Sequence, residues 1–416
     1  MRIRNIIAGI SGNILEHYDN ALYALLVPFI APLFFPNLSY LSGLIAGYGI
    51  QMVGLLMRPI GALVFGYIGD RKGRKHALFL TIMGMSLTTL LLGCLPTYST
   101  IGEAAPLFLL LLRGLQNFFA GGEIKGAAIF ILEHGQGRWR GFLSGLYGSS
   151  TILGIFFASG AVALLSHFGC AENYWRYLFI IGALCGSLGL VFRFFCEESQ
   201  EFSLEKSSRT NFLTSLWQYK KAITFIALAS GFSYVTYAIP FTLMNGFLPL
   251  ISSVTRAEAV EMNTFLLFLD MLTLPLFGML TRYISYEKIM KFSAIALAIF
   301  AIPLFSLLSQ ATTLHAIIVR TLIVLLGVAF AAPLHQWTLE IVPIKERYLI
   351  ASFASSLGTQ LFGAPCAAIC LWLFQTTGWV IAPAFYLLFT AVCAVSALIF
   401  AKTSFRSAPN EALVLK

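Results

Sequence analysis

Long apolar segments recur twelve times along the chain, and this recurrence restricts its fold more than any other feature. A membrane-spanning helix needs about 20 mostly apolar residues. Hydrophobic residues make up 58% of the 416 residues and charged residues only 11%, whereas soluble domains carry about 25% charged residues. The composition excludes a water-soluble globule and a disordered chain. The sequence predicts an all-α integral membrane protein whose twelve transmembrane helices lie at 6–35, 43–69, 76–95, 106–132, 141–167, 174–196, 222–251, 259–281, 289–309, 313–342, 348–375 and 379–401.

The lysine and arginine residues predict how the chain is oriented. Twelve spans place both termini on one side, and 21 of the 27 basic residues fall in segments on that side. Only Arg176 and Arg256 fall at the opposite face. Because basic residues concentrate on the cytoplasmic side of membrane proteins, both termini are expected in the cytoplasm. The net charge of +9 thus reflects topology, and no nucleic-acid partner is expected.

One hydrophilic connection divides the chain into two halves. It covers residues 197–221 and is expected to be a cytoplasmic linker between an N-terminal six-helix bundle (1–196) and a C-terminal six-helix bundle (222–416). The halves share three charged residues displaced by 207 positions, with Arg113, Glu133 and Arg140 recurring as Arg320, Glu340 and Arg347. Repeats of six helices around a central pathway are common in transporters.

Ionisable residues interrupt several of the apolar segments. A charge at the bilayer centre costs at least about 2.5–3.5 kcal/mol, so such residues normally face a partner or a wet cavity. They are Glu16, His17 and Asp19 in span one, Arg58 in span two, Arg113, Glu123 and Lys125 in span four, Asp270 in span eight, Arg320 in span ten, and His335 and Glu340 close to its end. One interpretation is that these residues form structural ion pairs between helices. For Arg58 and Asp270, each the single charge in its span, this interpretation and a functional role are equally favoured.

The acids of span one, with Arg113 and Glu123, favour a proton relay instead. Glu16 and Asp19 are three residues apart and project from one helix face. Approach and withdrawal of Arg113 could load and release a proton on Asp19 as the protein changes conformation. No metal site is expected, because Cys366 and Cys370 have no histidine or acid nearby in the sequence.

The turn between spans two and three carries the most specific motif. It reads GYIGDRKGRK over residues 66–75, and it resembles the G-x-x-x-D-R-x-G-R-[KR] loop of the major facilitator superfamily. Four further stretches, 12–36, 56–75, 95–128 and 339–365, together with YWRYLF at 174–179, resemble the metabolite:proton symporter branch, which includes proline/betaine, α-ketoglutarate, citrate and shikimate permeases.

This resemblance implies proton-driven uptake by alternating access in a bacterial inner membrane, without a cofactor. Proton coupling is expected at Glu16, Asp19, Arg113 and Glu123. The substrate is expected to contact Tyr18, Tyr23, Arg58, Gln116, Lys125, Arg320 and Trp337. A cytoplasmic gate is expected from Gly66, Asp70, Arg71, Gly73, Arg74, Glu133, Arg140, Glu340 and Arg347. The expected partners are a small-molecule substrate, protons and the lipid bilayer, with the protein acting as a monomer.

The substrate class is left open by departures from the branch pattern. Lys125 follows the Gly-Gly-Glu motif where the branch commonly has an aromatic residue and glycine; it indicates a more anionic ligand or a structural pair. The charges inside the predicted spans favour no particular ligand charge, because four cations stand against four acids: Arg58, Arg113, Lys125 and Arg320 against Glu16, Asp19, Glu123 and Asp270. Arginine, however, suits bidentate binding of a carboxylate. We therefore expect a carboxylate or a zwitterion such as a dicarboxylate, proline or betaine.

Three other functions compete with proton symport. Export of a metabolite or drug by proton antiport would use the same kinds of residue. A transporter-like sensor that binds without transport would often carry a signalling domain, whereas this chain ends about fifteen residues after the last predicted span. A membrane enzyme would need a nucleophile–base cluster or a metal-ligand set, and the six histidines are dispersed along the sequence.

Overall fold

The computed structural model describes residues 3–135, 139–168, 171–198, 212–310 and 312–406, and this part of the chain is helical. In chain order the helices are α1 (Ile3–Phe34), α2 (Tyr40–Lys72), α3 (Arg74–Cys94), α4 (Tyr98–Ile101), α5 (Ala104–Glu133), α6 (Arg140–His167), α7 (Ala171–Phe194), α8 (Phe212–Gln218), α9 (Lys220–Ala238), α10 (Met244–Ile251), α11 (Arg256–Leu280), α12 (Tyr286–Ser306), α13 (Thr313–Ala331), α14 (Leu334–Ile341), α15 (Arg347–Gly358), α16 (Cys366–Thr377) and α17 (Ala382–Arg406).

Five of the 21 basic residues that predict the orientation lie outside the described residues: Arg2, Arg138, Lys206, Arg209 and Lys416. Residues 199–211 of the predicted linker also lie outside the described residues.

Eleven helical segments in the described part of the chain are long and apolar enough to cross a membrane. They coincide with the second to twelfth predicted spans. The first predicted span falls within α1, which has 32 residues but is not among the eleven, because Glu16, His17 and Asp19 interrupt its apolar sequence. The membrane-spanning all-α architecture is confirmed, while the count of twelve spans and the side of the termini stay predictions.

Three of the long apolar segments are broken rather than continuous. A π-helical turn at Ile239–Leu243, which contains Pro240, joins α9 to α10. A second π-helical turn, Thr359–Gly363, follows α15, and Pro333 separates α13 from α14. Proline lacks the N–H that an α-helix uses and clashes with the preceding turn. Such breaks free backbone carbonyls in the interior of the molecule.

The helices pack in two groups, α1–α7 and α9–α17. In the first group, α2 and α3 pack on α5, and α1 packs on α6 and α7. Glycines allow the closest of these crossings: a Cβ on Gly121 would overlap the carbonyl of Arg58 in α2. In the second group, α12 and α9 pack on α17, around an apolar core that includes Phe232, Phe247 and Phe305.

The two groups meet mainly near one end of the molecule. We call this end the basic face, because the helix ends there carry Lys72, Arg74, Arg140 and Arg347. At this face α2 packs on α15 and α6 packs on α11. A Cβ on Gly66 of α2 would lie 2.6 Å from the Cα of Leu349 in α15. The structure is therefore one in which the groups are closed together at the basic face.

Candidate functional site

Residues of α1, α2, α3 and α5 surround a small polar cavity in the first group of helices. Its volume is about 170 Å³, counting space open to solvent. The lining residues are Glu16, Asp19, Asn20, Arg58, Met85, Arg113, Gln116, Asn117 and Ala120. The structure thus brings together five residues that the sequence predicted for proton coupling or substrate binding, since Glu16, Asp19, Arg58, Arg113 and Gln116 are all in the lining.

Glu16 is neutralised by the guanidinium group of Arg58 and lies against the ring of His17. Arg58 Nη2 donates to Glu16 Oε1 at 2.6 Å, and His17 Nδ1 lies 2.6 Å from Glu16 Oε2. A second nitrogen of Arg58 is also occupied, because its Nε donates to Asn117 Oδ1 at 2.9 Å. Glu16 and Arg58 form a largely buried ion pair that ties α1 to α2 near the middle of both helices.

Asp19 has a different environment, although it is only three residues away. Its Oδ2 accepts from Thr89 Oγ1 at 2.5 Å and from Gln116 Nε2 at 3.3 Å. Its Oδ1 is buried and has no hydrogen-bond partner in the described part of the chain. Asp19 is therefore a buried carboxylate whose hydrogen-bond donors, within the described part of the chain, are all neutral. The sequence did not predict Thr89, since a threonine in an apolar helix is common and gives no signal by itself.

Arg113 reaches Asp19 through Gln116 rather than directly. Its Nη1 donates to Gln116 Oε1, while the amide of Gln116 donates to Asp19. The guanidinium group lies 4.1 Å from the ring centroid of Tyr23, which is a cation–π contact. Arg113 Nε and Nη2 have no partner among the described residues. These two nitrogens form one edge of the guanidinium plane, which matches the two oxygens of a carboxylate.

Glu123 lies outside this cavity, where it binds Arg193 of α7. Arg193 Nη1 donates to Glu123 Oε2 at 2.7 Å, and Nη2 binds the other oxygen. Thr81 Oγ1 also donates to Glu123 Oε2, at 2.7 Å. Arg193 lies three residues before the end of the predicted span 174–196, where a basic residue indicates topology and gives no sign of a buried ion pair.

Lys125 contacts the second group of helices. Its Nζ lies 3.1 Å from His335 Nδ1 in α14, and the ring of Tyr147 in α6 packs edge-on against His335 with 5.0 Å between centroids. Two basic groups at this distance cannot both be protonated without repulsion. Lys125 thus takes part in the contact between the groups, and it is not in the cavity lining.

The other predicted substrate contacts are dispersed. Arg320 Nη1 donates to the carbonyl of Ala259 at 2.8 Å, and its Nη2 binds Asn245 and Asn263. Trp337 is buried in the apolar core of the second group. Tyr18 donates to the carbonyl of Leu178 and Tyr23 to that of Gly47, both at 3.1 Å. The structure does not bring Arg320 or Trp337 to the polar cavity.

The predicted gate residues do assemble at the basic face. Asp70 at the end of α2 accepts from the backbone N–H groups of Tyr348 and Leu349, at 3.0 and 2.8 Å. Asp70 also pairs with Arg74 at 2.8 Å, and Arg74 Nη2 donates to the carbonyl of Ile344 at 2.7 Å. Asp70 therefore caps the N-terminus of α15, where the helix dipole favours a negative charge.

Glu133 adds a second charged link at the same face. It accepts from Arg347 Nη1 at 3.1 Å and lies 3.5 Å from Arg74 Nε. Glu133 belongs to α5 and Arg347 to α15, so this ion pair spans the two groups. The side chains of Glu133 and Arg347 are both buried.

The remaining residues predicted for the gate contact residues of their own group of helices. Arg140 Nε donates to the carbonyl of Gly135 at 3.4 Å, and Tyr286 donates to Glu340. The guanidinium of Arg71 lies 4.3 Å from the ring centroid of Tyr67. Gly73 joins α2 to α3 with a φ of 111°, a value that favours glycine.

Comparison with known proteins identifies the family. Residues 5–222 match the family model of the sugar (and other) transporters. The proline/betaine transporters of Salmonella typhimurium and Escherichia coli K12 are each 28% identical over 414 residues, covering 94% of this chain and 82% of the relative. The chain belongs to the major facilitator superfamily. It is a multi-pass membrane transporter and not an enzyme.

Solved structures of major facilitator proteins share the fold. The proton:xylose symporter matches with a TM-score of 0.76 at 16% identity, covering 96% of this chain and 95% of the symporter. The fucose:proton symporter of E. coli matches with a TM-score of 0.73 at 13% identity, covering 96% of this chain and 98% of the symporter. At these identities the similarity establishes the fold alone.

Proposed function

We propose that the protein is a proton-coupled symporter that moves a small polar metabolite, a carboxylate or a zwitterion, by alternating access. In this proposal twelve helices form two six-helix bundles, residues 1–196 and 222–416, joined by the linker 197–221. Both termini face the cytoplasm of a cell with a bacterial-type inner membrane, the basic face is the cytoplasmic face, and the protein works as a monomer. The names of the proline/betaine relatives support this substrate class.

The polar cavity of the first group carries the proposal. It contains an acid that is already neutralised, Glu16 with Arg58, and an acid bonded only to neutral donors, Asp19. Buried acids in transporters are typical proton sites. We assign the exchangeable proton to Asp19, because a carboxylate without a cation against it can be protonated without breaking an ion pair.

The substrate carboxylate is assigned to the edge of the Arg113 guanidinium that is buried and unpaired among the described residues, which a change of conformation would have to uncover. Its Nε and Nη2 lack partners in the described residues, and a bidentate carboxylate would satisfy both. Gln116 bonds to Arg113 and to Asp19 at once. Movement of Arg113 toward a bound substrate would therefore disturb the hydrogen bonds of Asp19, which couples substrate binding to the proton.

Alternating access requires the contacts at the basic face to break and re-form. Asp70, Glu133, Arg74 and Arg347 form the charged part of that contact, and Lys125 with His335 lies deeper in it. We propose that the structure corresponds to the state closed toward the cytoplasm. Glu123, held by Arg193, is retained here only as a secondary proton site.

Internal pH in proteoliposomes tests the proposal. Carboxylates, amino acids and betaines are added outside in turn, and a trapped dye reports pH. Acidification of the interior with one compound class supports symport and identifies the class. Alkalisation would instead favour antiport, and silence across the panel with folded protein would overturn proton-coupled transport of these compounds in favour of a facilitator or a sensor.

A further inference from the structure

Asp270 of α11 is a buried acid with no side-chain partner among the described residues. Its exposed fraction is 6%, and it makes no hydrogen bond or ion pair through its carboxylate with any described residue. The other deeply buried acids named above are all bonded: Glu16 to Arg58, Asp19 to Thr89, Glu123 to Arg193. A buried carboxylate that lacks a partner is costly, so its presence calls for a ligand that supplies one.

Asp270 lies on the inward stripe of its helix. Leu266 and Leu274, four residues before and after it, are buried in an apolar cluster that also contains Ile152 of α6. Residues four apart share a helix face. This face of α11 is therefore directed at the junction between the two groups rather than at lipid.

Aromatic rings pack against the same face of α11. Tyr237 of α9 packs against the apolar cluster that contains Leu266 and Leu274, and its ring lies 4.7 Å from that of Phe241, with 30° between the planes. Tyr234, one turn earlier, is 41% exposed, and its ring centroid lies 6.3 Å from that of Tyr237. The rings of Tyr234, Tyr237 and Phe241 therefore form one aromatic surface next to the inward stripe of α11.

We propose that Asp270 and the ring of Tyr237 form a subsite for the cationic end of the substrate, an organic ammonium group. The inference rests on the proposed function and narrows it to zwitterions. An ammonium ion supplies the charge that Asp270 lacks, and aromatic faces attract organic cations.

Isothermal titration of the purified full-length protein tests the subsite. The probes are betaine and proline as zwitterions and succinate as a ligand with no cation. For Asp270→Asn we expect affinity for the zwitterions to fall by at least about tenfold, which corresponds to about 1.4 kcal/mol, with affinity for succinate unchanged or raised. Glu261→Gln makes the same chemical change at an exposed position of the same helix and should leave all affinities unchanged.

A second pair of variants covers the case in which Asp270→Asn fails to fold. Tyr237→Leu removes the ring and should weaken betaine binding, whereas Tyr237→Phe keeps the ring face and should retain it. Equal betaine affinity in wild type and Asp270→Asn would overturn the subsite. So would zwitterion binding that persists in Asp270→Asn while proton uptake is lost, since Asp270 would then be a proton site.

The subsite and the proposed function fail in different ways. A wild-type protein that binds and transports succinate but neither zwitterion contradicts the subsite and leaves carboxylate symport standing. A wild-type protein that acidifies proteoliposomes with none of the probes contradicts the proposed function itself.

Discussion

Glu16 and Asp19 show how two carboxylates on one helix turn can take different roles. Glu16 faces Arg58 and His17, so its charge is balanced within the protein. Asp19 faces Thr89 and Gln116, which donate hydrogen bonds without carrying charge. In the proposed function, this difference in environment assigns the exchangeable proton to Asp19 and a structural role to Glu16.

Replacement of Asp19 by asparagine should uncouple transport from the proton. Asp19→Asn keeps an oxygen that can accept from Thr89 but has no proton to exchange, so we expect proton-driven accumulation to fall by at least about tenfold while counterflow of labelled substrate partly survives. Glu103→Gln, an exposed position, is the control. Equal loss of accumulation and counterflow in folded protein would contradict the role of Asp19.

Variants of Glu123 distinguish a structural ion pair with Arg193 from a role in proton coupling. Glu123→Gln leaves the buried Arg193 without its anion, which should lower the free energy of unfolding by about 3–5 kcal/mol, seen as a lower melting temperature in detergent. The double variant Glu123→Leu with Arg193→Met removes both charges and should recover much of the stability. Wild-type stability of Glu123→Gln combined with lost proton coupling would favour the relay role instead.

At the site, sequence reasoning identified charges better than their partners. Glu16, Asp19, Arg58, Arg113 and Gln116 were predicted because polar residues in apolar segments are rare. Thr89 and Asn117 were missed, since neutral polar residues fit apolar helices at little cost. The repeated triplets were found, but the two arginines have different partners: Arg113 binds Gln116, whereas Arg320 binds Asn245 and Asn263.

Among the elements, α15 is capped at its N-terminus by a residue from another helix. The first N–H groups of any α-helix have no carbonyl partner within the helix, and in α15 two of them donate to Asp70 of α2. The cap can form only while the two groups are closed at the basic face. Asp70 therefore links the end of one helix to the conformation of the whole protein.

Loss of the Asp70 charge should open the basic face. A carboxylate at a partly buried helix N-terminus contributes up to about 2 kcal/mol, so Asp70→Asn should increase the open population by up to about thirtyfold. In a cysteine-free background, a cysteine at the buried Ser144 should react faster with a thiol reagent. A cysteine at Tyr283, which is 81% exposed, controls for reagent access and should react equally in both proteins.

The positions of the helices were largely predictable from the long apolar segments of the sequence, whereas the breaks within the helices were not. The predicted span 174–196 corresponds to α7 within a few residues. The span 313–342 is divided at Pro333, and 222–251 is divided by a π-helical turn. Hydropathy records the length of an apolar run but carries no information on which carbonyls stay paired inside it.

For the whole molecule, glycine contacts set how closely the two groups approach. A Cβ on Gly145 of α6 would overlap the carbonyl of Leu274 in α11, and a Cβ on Gly141 would lie 2.6 Å from the carbonyl oxygen of Gly278. Small residues allow helices to pack backbone to backbone. The closed state therefore depends on the contact that the first turns of α6, around Gly141 and Gly145, make with α11.

A bulky side chain at this contact should prevent closure of the basic face and thereby stop transport. Gly145→Leu places a side chain where the backbone of Leu274 lies, so the basic face cannot close and uptake should fall by at least about tenfold. Gly160→Leu makes the same change in the same helix where no atom lies within 4 Å of the added Cβ, and it should transport normally. Normal uptake by a monodisperse Gly145→Leu protein would show that this closed contact is not part of the cycle.

The polar interior of α1 has a consequence for how the protein is made. In the twelve-span arrangement proposed above, α1 must enter the bilayer although Glu16, His17 and Asp19 oppose its partition from the translocon into lipid. Arg58, which neutralises Glu16, belongs to α2, so the ion pair can form only after the next helix has been synthesised. We therefore expect α1 to partition into the bilayer together with α2, as a helical hairpin in which the charge of Glu16 is already paired.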